Sequence, residues 1–151
     1  MAIMAGVDVS KRTLECRLSG STEVHRAANT VKGQLRLVKK FKQALVELVV
    51  VEATGGYERA FCRTLWATKI PVAVINPRWT RNFARSEGRY AKNDRIDADI
   101  LLLYGESMNP EPTAPVQAEI EQLQRLLTRR GQLLDMVVME KNHEKAPEVS
   151  P

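Results

Sequence analysis

Four carboxylates occupy positions where a globular chain normally places something less costly. Asp8 interrupts the apolar run of "GVDVSK". Glu52 closes the strand-like "VVVEATGGYE" just before a Thr-Gly-Gly turn. Asp94 and Asp97 lie at i and i+3 in "KNDRIDADIL". If these groups converge, they repel one another and are expensive to bury. A divalent cation removes that cost. Mg²⁺ is a hard, oxygen-seeking ion that takes one or two carboxylates and completes its shell with water and substrate phosphates. Two such ions roughly 3.5–4 Å apart serve phosphodiester chemistry, one activating a nucleophile and one stabilising the leaving oxygen.

Each carboxylate also has a plainer reading. A lone strand Asp such as Asp8 can bond to a neighbouring turn. Asp94 can be a helix N-cap, with Asp97 at the third position favouring the helix dipole. Asp99 reads as a solvated residue paired with Arg95 four positions earlier and is left out of the candidate site. Glu52 is harder to dismiss, because a glutamate ending a buried strand needs a reason. Thr54, Gly55 and Gly56 form a turn that either brings backbone amides towards a phosphate or simply joins strand to helix. Lys11 and the run containing Arg78, Arg81, Arg85, Arg89 and Lys92 are candidates for nucleic-acid backbone contacts, against the reading of solvated surface charge. Trp79 and Phe83 stay open between core and stacking roles.

The elements that must position these groups follow from periodicity. "IMAGVDVS", "TLECRLSG" and "TEVHRAAN" read as three consecutive antiparallel strands. From Thr30, a helix cap, the spacing turns helical over "VKGQLRLVKKFKQAL", with Val31, Leu35, Val38 and Leu45 expected inward. "ELVVVEA" is a continuous apolar strand suited to burial on both faces, expected as the central one. "YERAFCRTLWATK" reads as a helix with Phe61, Leu65 and Trp66 inward, and "IPVAVIN" as a further buried strand. The fold class is therefore α/β: an antiparallel meander joined to parallel strands by right-handed crossovers. Asp8 and Glu52 would then sit side by side near the crevice where such sheets bind ligands. A helix crossing that end would add the aspartate pair.

The basic stretch after Asn76 reads as a loop or broken helix, and "MNPEPTAPV" as a Pro-rich break. Beyond it, Ile120, Leu123, Leu127, Leu134 and Val137 follow 3-4 spacing along an amphipathic helix, with Arg130 in an otherwise apolar slot. The expected organisation is a catalytic domain over 1–108, a connector over 109–115, a coiled-coil helix over 116–142 and a disordered tail over 143–151. The helix is expected to self-associate, giving a homodimer.

Among 151 residues, 44% are hydrophobic and 27% charged, as in soluble globular proteins. Lys and Arg outnumber Asp and Glu by 23 to 18, for a net charge of +5. That balance mildly favours a polyanionic partner. Cys16 and Cys62 cannot make a zinc site alone and read as reduced thiols. The N-terminus lacks the pattern of a signal peptide, and no apolar run is long enough for a membrane span. A cytoplasmic protein without a membrane partner is expected.

Taken together, "GVDVSK", "VVVEATGGYE" and "INPRWTRNFARSEGRYAKNDRIDADIL" resemble the N-terminal domain of the DEDD transposases, which comprise the insertion sequence 110 family and the Piv-type DNA invertases. The resemblance runs from about Gly6 through the helix after Asp97, with Asn93 where Thr is expected. It implies a RuvC-like, ribonuclease H-type mixed sheet flanked by helices. It implies that Asp8, Glu52, Asp94 and Asp97 form an acidic tetrad holding Mg²⁺ (or Mn²⁺). It further implies site-specific DNA recombination by a mobile element, in some members guided by a structured RNA. The long helix resembles the family's coiled-coil segment. Members continue into a C-terminal domain with a proposed nucleophilic serine, so a chain ending at Pro151 is expected to be incomplete for transposition. The competing reading is a nucleic-acid-binding and dimerisation module whose acidic site is idle. A kinase- or actin-like relative of the fold ranks lower, since neither paired phosphate hairpins nor a second lobe is visible.

Overall fold

A computed structural model describes residues 2–88 and 97–144. The chain divides into two compact units, Met1–Ala114 and Pro115–Pro151. The first carries five strands: β1 (Met4–Val9), β2 (Thr13–Leu18), β3 (His25–Ala28), β4 (Leu48–Glu52) and β5 (Val72–Ile75). Their order is β3-β2-β1-β4-β5. β2 pairs antiparallel with β1 and with β3, whereas β4 runs parallel to β1 and β5 runs parallel to β4. The central strand is thus β1, not β4 as the continuous apolar run suggested. β4 is flanked by β1 and β5 and is buried along its length up to Glu52.

Strand alternation splits the core into two clusters, one on each sheet face. On one face Ala5, Val7, Val9, Val49 and Val51 pack with α1 (Val31–Gln43) and α2 (Glu58–Ala67). On the other, Met4, Leu48, Val50, Ala73 and Ile75 pack with α3 (Pro77–Ser86) and α4 (Ala98–Met108).

Thr30 caps α1 as expected, accepting from the Gly33 amide at 3.2 Å. The inward face of α1 differs from the expected stripe. Gln34, Leu37, Val38 and Phe41 are buried, while Val31, Leu35 and Leu45 are exposed. Gly33 decides this rotation: it packs so closely on β3 that a Cβ there would stand 2.0 Å from the Ala28 carbonyl oxygen. In α2, Phe61, Cys62 and Leu65 point inward and Trp66 packs partly on the same core.

Thr113, in the Pro-rich segment, docks on β5. Its amide donates to the Val72 carbonyl at 2.8 Å, and its hydroxyl accepts from the Val74 amide at 2.9 Å. Trp66 closes the contact by donating its indole N–H to the Thr113 carbonyl at 3.1 Å. In the second unit, α5 (Ala118–Glu144) is a single 27-residue helix that runs through Gly131. No described helix is long and apolar enough to cross a membrane.

Candidate functional site

Parity along the strands gathers two of the four carboxylates. Asp8 shares its sheet face with Met4 and Gly6, and Glu52 shares its face with Leu48 and Val50, which is the face covered by α3 and α4. The parallel register ends at Val7↔Val51, so Asp8 and Glu52 are the next residues along two adjacent strands. Both are partly exposed at the carboxyl ends of these strands. That is where open α/β sheets accept ligands.

α3 fixes Glu52 in place. Thr80, fully buried on that helix, donates its hydroxyl to Glu52 Oε2. Asn76 caps α3, accepting from the Arg78 amide at 2.9 Å, and Pro77 occupies the first turn, where its missing N–H costs nothing.

α4 crosses the same face. Asp97 is its N-cap, accepting from the Ile100 amide at 3.0 Å, and is exposed. Because Asp97 lies just outside the helix, the i, i+3 argument pairing it with Asp94 on one helical face does not hold. Asp94, together with Arg89 and Lys92, lies outside the described residues. What brings Asp97 to this end of the sheet is Gly6. A Cβ at Gly6 would meet both the Ala98 carbonyl oxygen and the Leu102 amide nitrogen at 2.3 Å. Only glycine lets the first turn of α4 lie directly on β1.

Asp99 contacts Arg17 on β2 rather than serving only as a solvated partner for Arg95, which lies outside the described residues. With the Ser19 hydroxyl donating to Glu106 at 2.8 Å, this pair ties α4 to β2. Opposite Asp8 on β2 stands Glu15, on the same face, which accepts from Arg26 Nε at 2.9 Å.

The Thr-Gly-Gly turn is held internally. Glu58, almost fully buried, accepts from the Thr54 amide at 3.1 Å and the Gly56 amide at 3.0 Å through Oε2. Those two amides are therefore already engaged, which favours the connecting role over phosphate capture. Gly55 (φ 68°) and Gly56 (φ 101°) supply the left-handed backbone the turn requires. Thr54 Oγ1 donates to the Val9 carbonyl at 3.2 Å, anchoring the turn to the end of β1. A polar chain supports both loops from below: Thr64 donates to Gln34 at 2.6 Å, Gln34 to Asn29 at 2.9 Å, and Asn29 to the Ser10 carbonyl at 2.9 Å.

Among the described residues, no three His, Cys, Asp or Glu side chains form a group arranged to hold a metal ion. The donor chemistry of Asp8 and Glu52 nevertheless suits a hard cation: two partly exposed carboxylates on adjacent strands match the one or two that Mg²⁺ takes. Of the basic residues, Lys11 is exposed on the β1–β2 turn, and Arg78, Arg81 and Arg85 are exposed on α3. Cys16 and Cys62 lie in the opposite core cluster, where burial pushes each thiol from its ordinary 9.0 up to about 12.

This architecture is the ribonuclease H-type fold in its RuvC-like form. The RuvC of T. thermophilus, solved in complex with a Holliday junction substrate, superposes with a TM-score of 0.53 at 13% identity, over 74% of this chain and 99% of that one. The chain belongs to the DEDD transposase family of the IS110 type, whose family model, described as Transposase, matches residues 5–146. The pilin gene-inverting proteins of Moraxella lacunata and Moraxella bovis are each 25% identical to it over 148 residues, covering 93% of this chain. The chain spans 46% of the length of each of those relatives.

Proposed function

We propose that this chain is the metal-dependent nuclease-type domain of a DNA recombinase, with Asp8, Glu52, Asp94 and Asp97 holding Mg²⁺ or Mn²⁺. The observation that carries this reading is the side-by-side position of Asp8 and Glu52 on the face crossed by α4, whose N-cap is Asp97. When bound, the cations would supply charge stabilisation and an activated nucleophile for phosphodiester cleavage. The protein's own part is positional. Thr80 orients Glu52, Gly6 seats α4, and the Glu58-held turn keeps the chain after Glu52 clear of the site.

Lys11, Arg78, Arg81, Arg85, Arg89 and Lys92 serve DNA in this proposal, by neutralising backbone phosphates. The pilin gene-inverting relatives are named for a DNA rearrangement, which supports DNA as the partner. A structured guide RNA, used in part of the family, belongs to the same proposal, as does action in the cytoplasm. We assign the phosphodiester chemistry to this domain, which spans 46% of the length of those relatives. The apolar stripe of α5, with Ile120, Leu123, Leu127, Leu134 and Val137 all about half exposed, supports self-association into a homodimer through that helix.

The test is cleavage of branched and linear DNA with Mn²⁺, beside isothermal titration of Mn²⁺ into the protein. Wild type is expected to bind the ion and nick DNA, and Asp8→Asn and Glu52→Gln to lose both. Unaltered ion binding in these two variants would sink the metal assignment. DNA binding with no cleavage under any metal would favour the idle-site module.

A further inference from the structure

α3 turns a second face away from the sheet. Trp79, Asn82, Phe83 and Ser86 of α3, with Tyr104 and Met108 of α4, line an open groove of about 540 Å³. Its floor is aromatic: the Phe83 and Tyr104 rings meet edge to face with centroids 5.3 Å apart. One wall is Trp79, which is 60% exposed, and Met108 is 58% exposed. Trp79 and Met108 are exposed side by side with the Phe83–Tyr104 pair, so the apolar surface here is contiguous rather than a single exposed side chain.

The chemistry around the groove selects among partners. α3, which forms one side of the groove, carries Arg78, Arg81 and Arg85 and no acidic residue within its span, so that side is positively charged; Glu87, its C-cap, and Glu106 of α4 are the acidic residues nearest in sequence to the lining. Asn82 offers an amide able to bond the polar edge of a base, while the Ser86 hydroxyl already donates to the Phe83 carbonyl at 2.7 Å and keeps only its acceptor capacity. An aromatic wall beside arginines on a phosphate-attracting helix is the arrangement that holds single-stranded nucleic acid, with bases stacked and backbone neutralised. An apolar protein segment would use the floor but would gain nothing from the cationic border.

We propose that the α3–α4 groove is a docking site for an unpaired nucleobase of the DNA substrate, stacked on Trp79. The inference rests on the reading of this chain as a DNA-acting domain and adds where a displaced strand is held. Thr80, the next residue after Trp79, is the group that orients Glu52. A base seated in the groove is therefore gripped by the same rigid helix that sets the carboxylate. This couples strand opening to the cleavage site without a moving part.

The experiment uses the whole chain and fluorescein-labelled 20-nucleotide probes, single-stranded and duplex, followed by anisotropy at low salt. Trp79→Ala is expected to weaken single-strand binding roughly tenfold while leaving duplex binding unchanged, and Trp79→Phe to retain most of the single-strand affinity. Arg81→Ala should weaken both probes alike. Intrinsic tryptophan fluorescence gives a second readout: single strands should quench wild type more than duplex does, and Trp79→Ala should abolish the difference. Equal loss on both probes, or no loss, overturns the groove assignment while duplex binding by wild type leaves the DNA reading standing. Loss of self-association in Trp79→Ala with DNA affinity intact would reassign the groove to protein and overturn it too. Failure of wild type to bind either probe overturns both readings.

Discussion

Replacing Gly6 by alanine adds one methyl group at the point where α4 touches the sheet, and the geometry leaves that methyl nowhere to go. It would stand 2.3 Å from the Ala98 carbonyl oxygen and 2.3 Å from the Leu102 amide nitrogen, with the Leu102 Cα at 2.8 Å. All three are backbone atoms, so no side chain can swing aside, and a real Cβ needs about 3.4 Å or more. The helix must therefore lift by about 1 Å or the β1 backbone must shift. Overpacking of a tight core costs typically about 1–3 kcal/mol. With backbone on every side, about 3 kcal/mol is expected here. That is a large part of the roughly 5–15 kcal/mol that stabilises a domain. Urea denaturation followed by circular dichroism is the assay, and with a slope of about 1–3 kcal/mol per molar the midpoint should fall by about 1 M or more. Because the lifted turn begins at Asp97, Mn²⁺ affinity should fall in whatever fraction remains folded. Gly131→Ala is the internal control. Nothing lies within 4 Å of its Cβ, so it should raise the helicity of α5, by about 1 kcal/mol in helix propensity. A Gly6→Ala protein as stable as wild type, with unaltered ion affinity, would refute the claim that this glycine seats α4.

Three further outcomes follow from the same geometry. Asp97→Asn keeps an N-cap acceptor for the Ile100 amide and should leave stability within a few tenths of a kcal/mol, whereas Asp97→Ala should cost about 1 kcal/mol. Both should weaken Mn²⁺ binding, and titration calorimetry that found Asn indistinguishable from wild type would reduce Asp97 to a cap. Thr80→Val removes the donor to Glu52 without changing side-chain shape much and should cost about 1–3 kcal/mol and weaken ion binding, with Thr80→Ser restoring both. No rescue by serine would argue that the hydroxyl is incidental. The cysteines set a pH limit. In the unfolded chain their thiols ionise from about 9.0, whereas in the fold they stay protonated up to about 12, because burial disfavours the thiolate. Between those values the unfolded state binds fewer protons, so stability present below pH 9 is lost as pH rises towards 12. Denaturation midpoints should fall more steeply above pH 9 in wild type than in Cys62→Ala, and native protein at pH 8 should resist thiol reagents.

Much of the fold is legible in the sequence, and the exceptions have physical causes. Strands β1 to β5 announce themselves through β-branched runs and alternation, because a strand's burial pattern repeats every two residues and needs no distant partner to be read. The buried face of α1 is not the one periodicity suggests, because helical spacing leaves several stripes open. Gly33 against the Ala28 carbonyl, a contact between elements, chose the one containing Gln34. Nor does the hydrophobicity of β4 make it the central strand, which is β1. Burial on both faces is equally compatible with the second position from an edge that α2, α3 and α4 cover.

The candidate site divides along the same line. Asp8 and Glu52 stand out by residue type and position, since a carboxylate breaking or ending an apolar run is conspicuous in one dimension, whereas Asp97 stands out only through its spacing from Asp94 and the family resemblance. The supporting groups do not. Thr80 stands 28 residues from Glu52 and looks like any helical threonine. Glu58 reads as a first-turn helix acid until its carboxylate is seen gathering the Thr54 and Gly56 amides. Gly6 did carry a faint signal, as a glycine inside an apolar strand, which often marks a close backbone approach. Residue types and their order along the chain are enough to say which groups could do chemistry. Which of them share a face, what holds them and which amides are already taken follow from strand order and helix docking, contacts between residues far apart in sequence that no local pattern encodes.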